Sequence, residues 1–419
     1  MLDVLLRDEN IPEQLKKICS EVIECIKTYE EKVADVCTAN FLRVQRCYQE
    51  RRLHTGHFHT SDGYGYHDSG RDKLEECLAI ILGAERAFFR QQIVSGTHAI
   101  ALALKACLKP GDVLIYATGR PYETLAPLFN PGQPGSLPEA GIVCKTIPLD
   151  AKNCIDEMLL LNSICRKTRM VAFQRSSGYQ PRPAFTLDYL APIFAKIKAR
   201  NKDIIIFVDN CYGEFVEQNE PTTQGADLIA GSFLKNPGGG LTPCGGYLAG
   251  NKGLIELIEA AFFAPGLSGI GPSLISNRHF FQALYLAPLF VRETLQGLIF
   301  FACLFSRLGY DVFPAYHEKR SDIIQGIILN AEPELLRFCR LVQKNSPVDS
   351  FVFPVPAPMP GYRDEVIMAG GTFISGSSAE FSADAPMTPP YTAYLQGGYY
   401  KEQIILAGIK LAMEFGKKK

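Results

Sequence analysis
The chain has 419 residues, 47% of them apolar and 21% charged, ordinary proportions for a globular protein long enough to build two cores. Its 43 basic and 44 acidic residues give a formal net charge of −1; the only basic cluster is the terminal GKKK, a solvated tail, so no nucleic-acid partner is expected. Thirteen scattered cysteines without a C-x-x-C pair argue against a zinc ribbon and a disulfide framework, and fit a reducing cytoplasm.

The opening MLDVLLRDENIPEQ is acidic early and lacks the apolar core of a secretory signal. Residues 12–50 carry Ile18, Val22, Ile23, Ile26, Val33, Val36 and Cys37 at helical spacing, which predicts one or two amphipathic helices in an N-terminal arm, 1–60. HTGHFHTSDGYGYHDSGR then shows no periodicity and reads as a loop. Its His54, His57, His59 and His67 match no zinc spacing, so no metal is expected.

From there the pattern alternates. Helices are expected over 72–82 and 97–108, a strand in DVLIYAT, a short helix over 122–129 and a strand in RMVAFQR. A helix over 186–201 leads to strands DIIIFVD, DLIAGSF and GGYLAG, then a helix over 252–262. Short β-branched runs between helices predict an α/β large domain, 61–285, with a mostly parallel sheet. A long helix over 277–308 follows. Its most apolar window, LAPLFVRETLQGLIFFACLF, is interrupted by Arg292 and Glu293, so no membrane span is expected. YDVFPAY, SDIIQGIIL, a helix over 332–344, SPVDSFVFPVP, DEVIMAGGTF and a last helix over 401–415 make a smaller C-terminal α+β domain, 286–419.

Ligands of open α/β sheets sit beyond the C-terminal ends of the strands. Asp209 ends one strand after five apolar residues, and a carboxylate there is costly to bury without a cation. The apolar run ADLIAGSFL leads into Lys235, which precedes Asn236-Pro237-Gly238-Gly239-Gly240. DVLIYAT leads to Tyr122, and FQRSSGYQ puts Arg175 and Ser177 at the same edge. Ser95-Gly96-Thr97 open a helix whose free N–H groups and dipole attract an anion.

A buried acid, an inward amine, an aromatic face and an anion cradle are what pyridoxal 5'-phosphate requires. A carboxylate holds the ring nitrogen protonated and a lysine forms the Schiff base, its pKa lowered by desolvation so that free amine is available. Asp209 and Lys235 suit those two roles. Ser232, Ser95, Gly96 and Thr97 suit the phosphate, and Tyr122 the ring face. Cys211 and Cys244 read as small apolar fillers and His98 as a structural histidine. A nucleotide-dependent oxidoreductase is disfavoured, since no G-x-G-x-x-G follows the early strands.

Asp209 followed by Ser232-x-x-Lys235 resembles fold-type I pyridoxal-phosphate enzymes. From about residue 40 the chain is similar to the methionine γ-lyase-like branch often labelled aluminium resistance protein. The stretches that carry the likeness include YGYHDSGRDKLEE, VSGTHAIALAL, QRSSGYQPRP, FVDNCYGEFVE, ADLIAGSFLKNPGGGLTPCGGYLAG and SPVDSFVFPVPAPMPGYRDEVIMAGGTF. The resemblance implies a Cys/Met-metabolism fold, a small amino-acid substrate, and a homodimer or homotetramer with shared active sites. It implies a carbon–sulfur lyase with Lys235, Tyr122 and Asp209 catalytic; β-elimination, racemisation, transamination, or cofactor binding with little catalysis remain alternatives. Tyr64 and Tyr66 correspond to the segment by which relatives reach a neighbour's phosphate, with Arg71 standing in for an absent Tyr-Ser-Arg. Two further departures are Thr388, where relatives carry a carboxylate-binding arginine, and Leu234, where they carry a threonine. The substrate carboxylate is then left to Arg175, Arg278 or Arg363.

Overall fold
The computed structural model describes residues 2–416. A short helix α1 (Leu2–Leu5) precedes α2 (Glu13–Glu50), a single 38-residue helix where one or two were expected. No glycine or proline interrupts those residues, so nothing breaks the ladder of backbone hydrogen bonds. Its early buried residues Leu15, Cys19, Val22 and Ile26 join the core of the C-terminal unit, whereas Val44 and Cys47 join that of the large one. The expected arm is therefore a strut stitched to both.

The large unit is a seven-stranded sheet of β1 (Arg86–Arg90), β2 (Val113–Tyr116), β3 (Val143–Thr146), β4 (Thr168–Gln174), β5 (Ile205–Asp209), β6 (Leu228–Ser232) and β7 (Gly246–Gly250). The strand order is β1-β7-β6-β5-β4-β2-β3; only β7 runs antiparallel to its neighbours, β1 and β6. Its helices are α3 (Ser69–Ile81), α4 (Gly96–Cys107), α5 (Glu157–Ser163), α6 (Leu187–Arg200) and α7 (Lys252–Phe262). Alternation along the strands divides the core. Ile206 and Val208 of β5 join the cluster that includes α3 and α6, and Ile205 and Phe207 join the one with α4 and α7. Both faces are covered, and the strand ends remain as the open edge. Only a 3₁₀ turn, Ala126–Phe129, forms where a helix over 122–129 was expected, with Pro127 in its first turn.

The long helix α8 (Arg278–Arg307) crosses the boundary expected at 285. By length and composition it is apolar enough to cross a membrane, despite Arg292 and Glu293, but 83% of its most apolar window is buried inside the protein. It packs against α2 and against the last helix, α10 (Lys401–Phe415), so its apolarity serves a core. The small unit pairs α9 (Glu332–Lys344) and α10 with an antiparallel sheet of β8 (Val312–Phe313), β9 (Ile324–Ile328), β10 (Val366–Ala369), β11 (Ser382–Pro386) and β12 (Thr392–Gln396), ordered β10-β11-β12-β9-β8. SPVDSFVFPVP forms no strand; its three prolines remove ladder donors, and Phe351 is 88% exposed. The α/β fold-type I class expected from the sequence is the one found. All thirteen cysteines are free.

Candidate active site
The ends of β5 and β6 meet the first turn of α4. Asp209, the last residue of β5, is 5% exposed and accepts a hydrogen bond at Oδ1 from the Cys211 amide, 3.1 Å away. Burial pushes its carboxyl up to about 6, against the hydrogen bonds of Cys211 and the positive charges of Lys235 and Arg182, which favour the anion.

Lys235 follows β6 in a tight turn that only glycine permits. Gly239 and Gly240 sit at φ +47° and +71°, and a Cβ on Gly238 would lie 1.5 Å from the Phe233 carbonyl oxygen. The lysine turns inward: its Nζ lies 3.6 Å from the ring centroid of Tyr212, a residue at φ +69°. Burial alone would lower the pKa of this amine. The neighbouring Tyr212, Cys211 and Asp209, with a hydrogen bond to Tyr212, outweigh it and raise the pKa instead. The expectation of a depressed lysine is thereby corrected: burial in company with acidic groups favours the ammonium.

At the start of α4, Ser95 is the N-cap, accepting from the His98 amide at 3.1 Å. A Cβ on Gly96 would lie 2.8 Å from Cys211 Sγ and 3.5 Å from Ser232 Cβ, so glycine lets three segments converge. Thr97 Oγ1 and the Tyr122 hydroxyl are 3.3 Å apart. Burial, then the charges of Asp209 and Cys211, push the Tyr122 phenol up. Ser232 Oγ accepts from the Leu234 amide at 3.1 Å, and the Leu234 carbonyl accepts from the Ser378 amide at 3.1 Å, tying the lysine turn to the small unit. Ser95, Gly96, Thr97, Tyr122, Asp209, Ser232 and Lys235 are thus gathered in one recess.

Other expected residues are engaged elsewhere. Ser177 lies at the rim but gives its amide (2.8 Å) and hydroxyl (3.0 Å) to Asp322 Oδ2. Arg175, proposed from the sequence as a substrate cation, is fully buried. Nε donates to Ser321 Oγ, Nη1 to Asn210 Oδ1 and the Gly213 carbonyl, and Nη2 to Glu217 at 2.8 Å. That assignment is corrected: Arg175 joins the β4 and β5 loops to the segment leading into β9. Breaking this buried pair with Arg175→Met is expected to cost about 3–5 kcal/mol, read from urea unfolding; an unchanged midpoint would contradict this role.

Arg71 is corrected on the same ground. All five guanidinium N–H groups are spent on Asp72 and on the carbonyls of Gly65, Gly269 and Gly271, leaving none for a phosphate. Tyr64 and Tyr66 stack on each other at 5.4 Å and are 59% and 66% exposed. Arg278, at the start of α8, and Arg363 are exposed, and neither forms an ion pair among the described residues. Thr388 lies in the turn between β11 and β12, its carbonyl accepting from the Tyr391 amide. His54 and His57 cap the 3₁₀ turn Thr55–Phe58.

Several groups escaped the sequence reading: Tyr212 beneath the Lys235 amine, Arg182, whose charge acts on Asp209, and the hydrogen-bonded pair Tyr179 and Asp384. Tyr179 and Arg182 stand inside QRSSGYQPRP, and Tyr212 three places after Asp209, so proximity to recognised residues was the available signal. Asp384 had none. Behind the lysine turn, burial pushes the carboxyl of Glu214 up to about 8; its Oε1 accepts from the Tyr247 hydroxyl at 2.8 Å. A carboxyl raised above 4.5 costs stability as pH rises through the folded value, because the unfolded chain then holds fewer protons than the folded one. Glu214→Gln is therefore expected to gain in melting temperature relative to the parent between pH 5 and about 8, and to level off above that. A difference independent of pH would overturn this.

A cavity of about 570 Å³ lined by Asp72, Glu75, Glu76, Glu85 and Glu259 holds none of the gathered residues.

Residues 13–415 match the family described as methionine gamma-lyase. The Bacillus subtilis (strain 168) protein YnbB, itself uncharacterised, is 42% identical over 390 residues, covering 92% of this chain and 93% of that protein. A crystal structure from Listeria monocytogenes, described as a candidate cystathionine beta-lyase involved in aluminum resistance, is 39% identical with a TM-score of 0.92, over 94% of this chain and 98% of that one. A Clostridium novyi NT structure described as a carbon-sulfur lyase involved in aluminum resistance is 39% identical with a TM-score of 0.93, over 98% of both chains. The likeness spans both units and every residue of the recess, and on it this chain belongs to the methionine gamma-lyase family.

Proposed function
We propose that this chain is a pyridoxal-phosphate-dependent carbon–sulfur lyase that acts by γ-elimination on a sulfur-containing amino acid in the cytoplasm. The observation that carries the reading is the Lys235 amine, turned inward over Tyr212 in the recess of the buried Asp209 carboxylate. The donor set fits the cofactor. Asp209 is a buried acid that accepts from the backbone amide and side chain of Cys211 and from no arginine or lysine among the described residues, which leaves it able to receive a protonated ring nitrogen. Gly96 leaves room at the start of α4, where free amides and Ser95, Thr97 and Ser232 would hold a phosphate. Tyr122 would lie against the ring. When bound, the cofactor supplies an aldehyde for an amine and a ring that accepts electrons.

The chain's own residues then divide the work. Lys235 would hold the cofactor and, once released by the substrate's amine, take the proton from the substrate Cα. Asp209 would keep its negative charge beside the ring. A second proton must move at Cβ for γ-elimination, and the Lys235 amine and the Tyr122 hydroxyl are the groups in place to move it. Ser177 would act through Asp322, by keeping the small unit docked. With Arg175 committed, the substrate carboxylate would fall to Arg363, beside Tyr362, or to Arg278. Exposed, stacked Tyr64 and Tyr66 would meet a second copy in a homodimer or homotetramer.

The test is product analysis with the cofactor-loaded protein. Methionine is expected to yield ammonia, a thiol and 2-oxobutanoate. β-Elimination is the second reading, favoured by the likeness to the Listeria protein; it would give pyruvate from a cysteine thioether. Absence of any oxo acid across a panel of sulfur amino acids, from protein that visibly carries the cofactor, would sink both.

A further inference from the structure
Tyr212 stands in the loop after β5 with a backbone φ of +69°, the left-handed region that a bulky side chain enters only at a cost. Such strain persists where the surroundings over-determine it. Here two side chains do so. Asn236, fully buried and next to the lysine, donates from Nδ2 to the Tyr212 carbonyl at 3.0 Å and to the Glu214 carbonyl at 2.9 Å. From the other side Arg175 Nη1 donates to Asn210 Oδ1 at 2.8 Å and to the Gly213 carbonyl at 2.9 Å. A Cβ on Gly213 would lie 2.7 Å from that nitrogen, so glycine lets the guanidinium close in. The Asn236 amide thus spends both its hydrogens on tying the loop after β5 to the lysine turn after β6.

The clamp places one ring. Lys235 Nζ lies 3.6 Å from the centroid of Tyr212, well within the roughly 6 Å over which a ring face attracts an ammonium, and both residues are half-buried. A side chain held on a strained backbone with its face turned to a cation is placed for that cation rather than for packing. In the proposed reaction the lysine takes the substrate Cα proton and ends that step as an ammonium. Away from bulk water such a charge is costly without a partner. A neutral ring meets the charge without competing for the proton, which a carboxylate in the same place would do.

We propose that Tyr212 is the positioning residue of the lysine: its ring face holds the Lys235 amine when that amine is not bonded to the cofactor, and steadies the ammonium formed when the lysine takes the Cα proton. The proposal rests on the lyase reading and deepens it.

Two variants test it. Tyr212→Phe keeps the ring face, and Tyr212→Leu removes it while filling much of the space. The first measurement needs neither cofactor nor substrate: limiting acetic anhydride is applied to the empty protein over a range of pH, and acetylation at position 235 is followed by mass spectrometry. The other groups that act on the amine, Cys211 and Asp209 beside it, and Asp384 of β11, which feels its charge, are the same in all three proteins. In Tyr212→Leu the labelling midpoint should fall by about one pH unit, the equivalent of one cation–π contact away from water, while Tyr212→Phe should stay within about half a unit of the parent. A folded Tyr212→Leu that titrates with the parent overturns the proposal. So does a Tyr212→Phe that titrates with the leucine variant, because the hydroxyl would then be what holds the amine. The second measurement is turnover of the cofactor-loaded protein: Tyr212→Leu should lower kcat about 10- to 100-fold with KM within about threefold of the parent, and Tyr212→Phe should keep most of the parent's kcat. A loss confined to KM, or equal losses in both variants, overturns it. Should the parent turn over no sulfur amino acid, the lyase reading is what fails, and the labelling midpoints alone decide the role of Tyr212.

Discussion

Lys235→Ala is expected to lower lyase turnover by more than about 10³-fold and to remove the site at which borohydride fixes the cofactor to the chain. Two observations set the size of the effect. The amine sits in a recess with acidic groups that draw it inward, so no solvent amine is held in its place. The turn that presents it depends on Gly238, Gly239 and Gly240, so no neighbouring side chain can take over its position. Lys235→Arg is expected to fail as well, because a guanidinium does not give up its proton in this range. The raised amine pKa adds a sign. Below that pKa, each pH unit upwards increases the free amine about tenfold, so cofactor capture by the empty protein should accelerate with pH above neutrality. The measurement is mass spectrometry of the borohydride-treated peptide containing position 235. An adduct on another lysine, or a variant within tenfold of parental turnover, would remove the basis of the assignment.

Asp209→Asn is expected to act in opposite directions on activity and stability. Turnover should fall about 10²- to 10³-fold, the usual loss when a preorganised charge is taken from a buried site. Stability of the empty protein should rise. Burial raises this carboxyl from 3.8 to about 6, so the folded state holds its proton more tightly than the unfolded one. The cost of ionising it is absent below about pH 3.8, grows between there and pH 6, and is fully present above. At about 1.4 kcal/mol per pK unit the gain above pH 6 is at most about 3 kcal/mol. A purely structural aspartate would lose stability and activity together. Thermal melts at pH 4 and pH 8, beside steady-state kinetics, separate the two cases.

Much of the architecture was open to reading. The helices over 332–344 and 401–415 formed over those residues, because their apolar periodicity is local and their ends carry clear breaks. Strands β4, β5, β6 and β7 were legible as short apolar runs closed by polar or glycine residues. β3 escaped because it is a four-residue, largely exposed edge. SADAP became β11 although its Ala, Asp and Pro residues disfavour a strand; pairing with β10 and β12 decides it. The N-terminal arm was read as separate because helical spacing does not say which core a stripe will meet.

The sequence by itself determined the fold class and the positions marked by local chemistry: a lysine at a glycine-rich turn, an acid ending an apolar strand, and a helix opened by Ser95-Gly96-Thr97. Each depends on neighbours within a few residues, so the pattern survives in one dimension. Only the tertiary structure decided how the charges are spent. Arg175 and Arg71 look available in the chain and prove committed to partners up to 200 residues away. Asp384 looks unremarkable and proves to be buried, held by the Tyr179 hydroxyl and Gln396. Whether a charged side chain is free or paired depends on distance and desolvation, and those arise only when remote segments pack together.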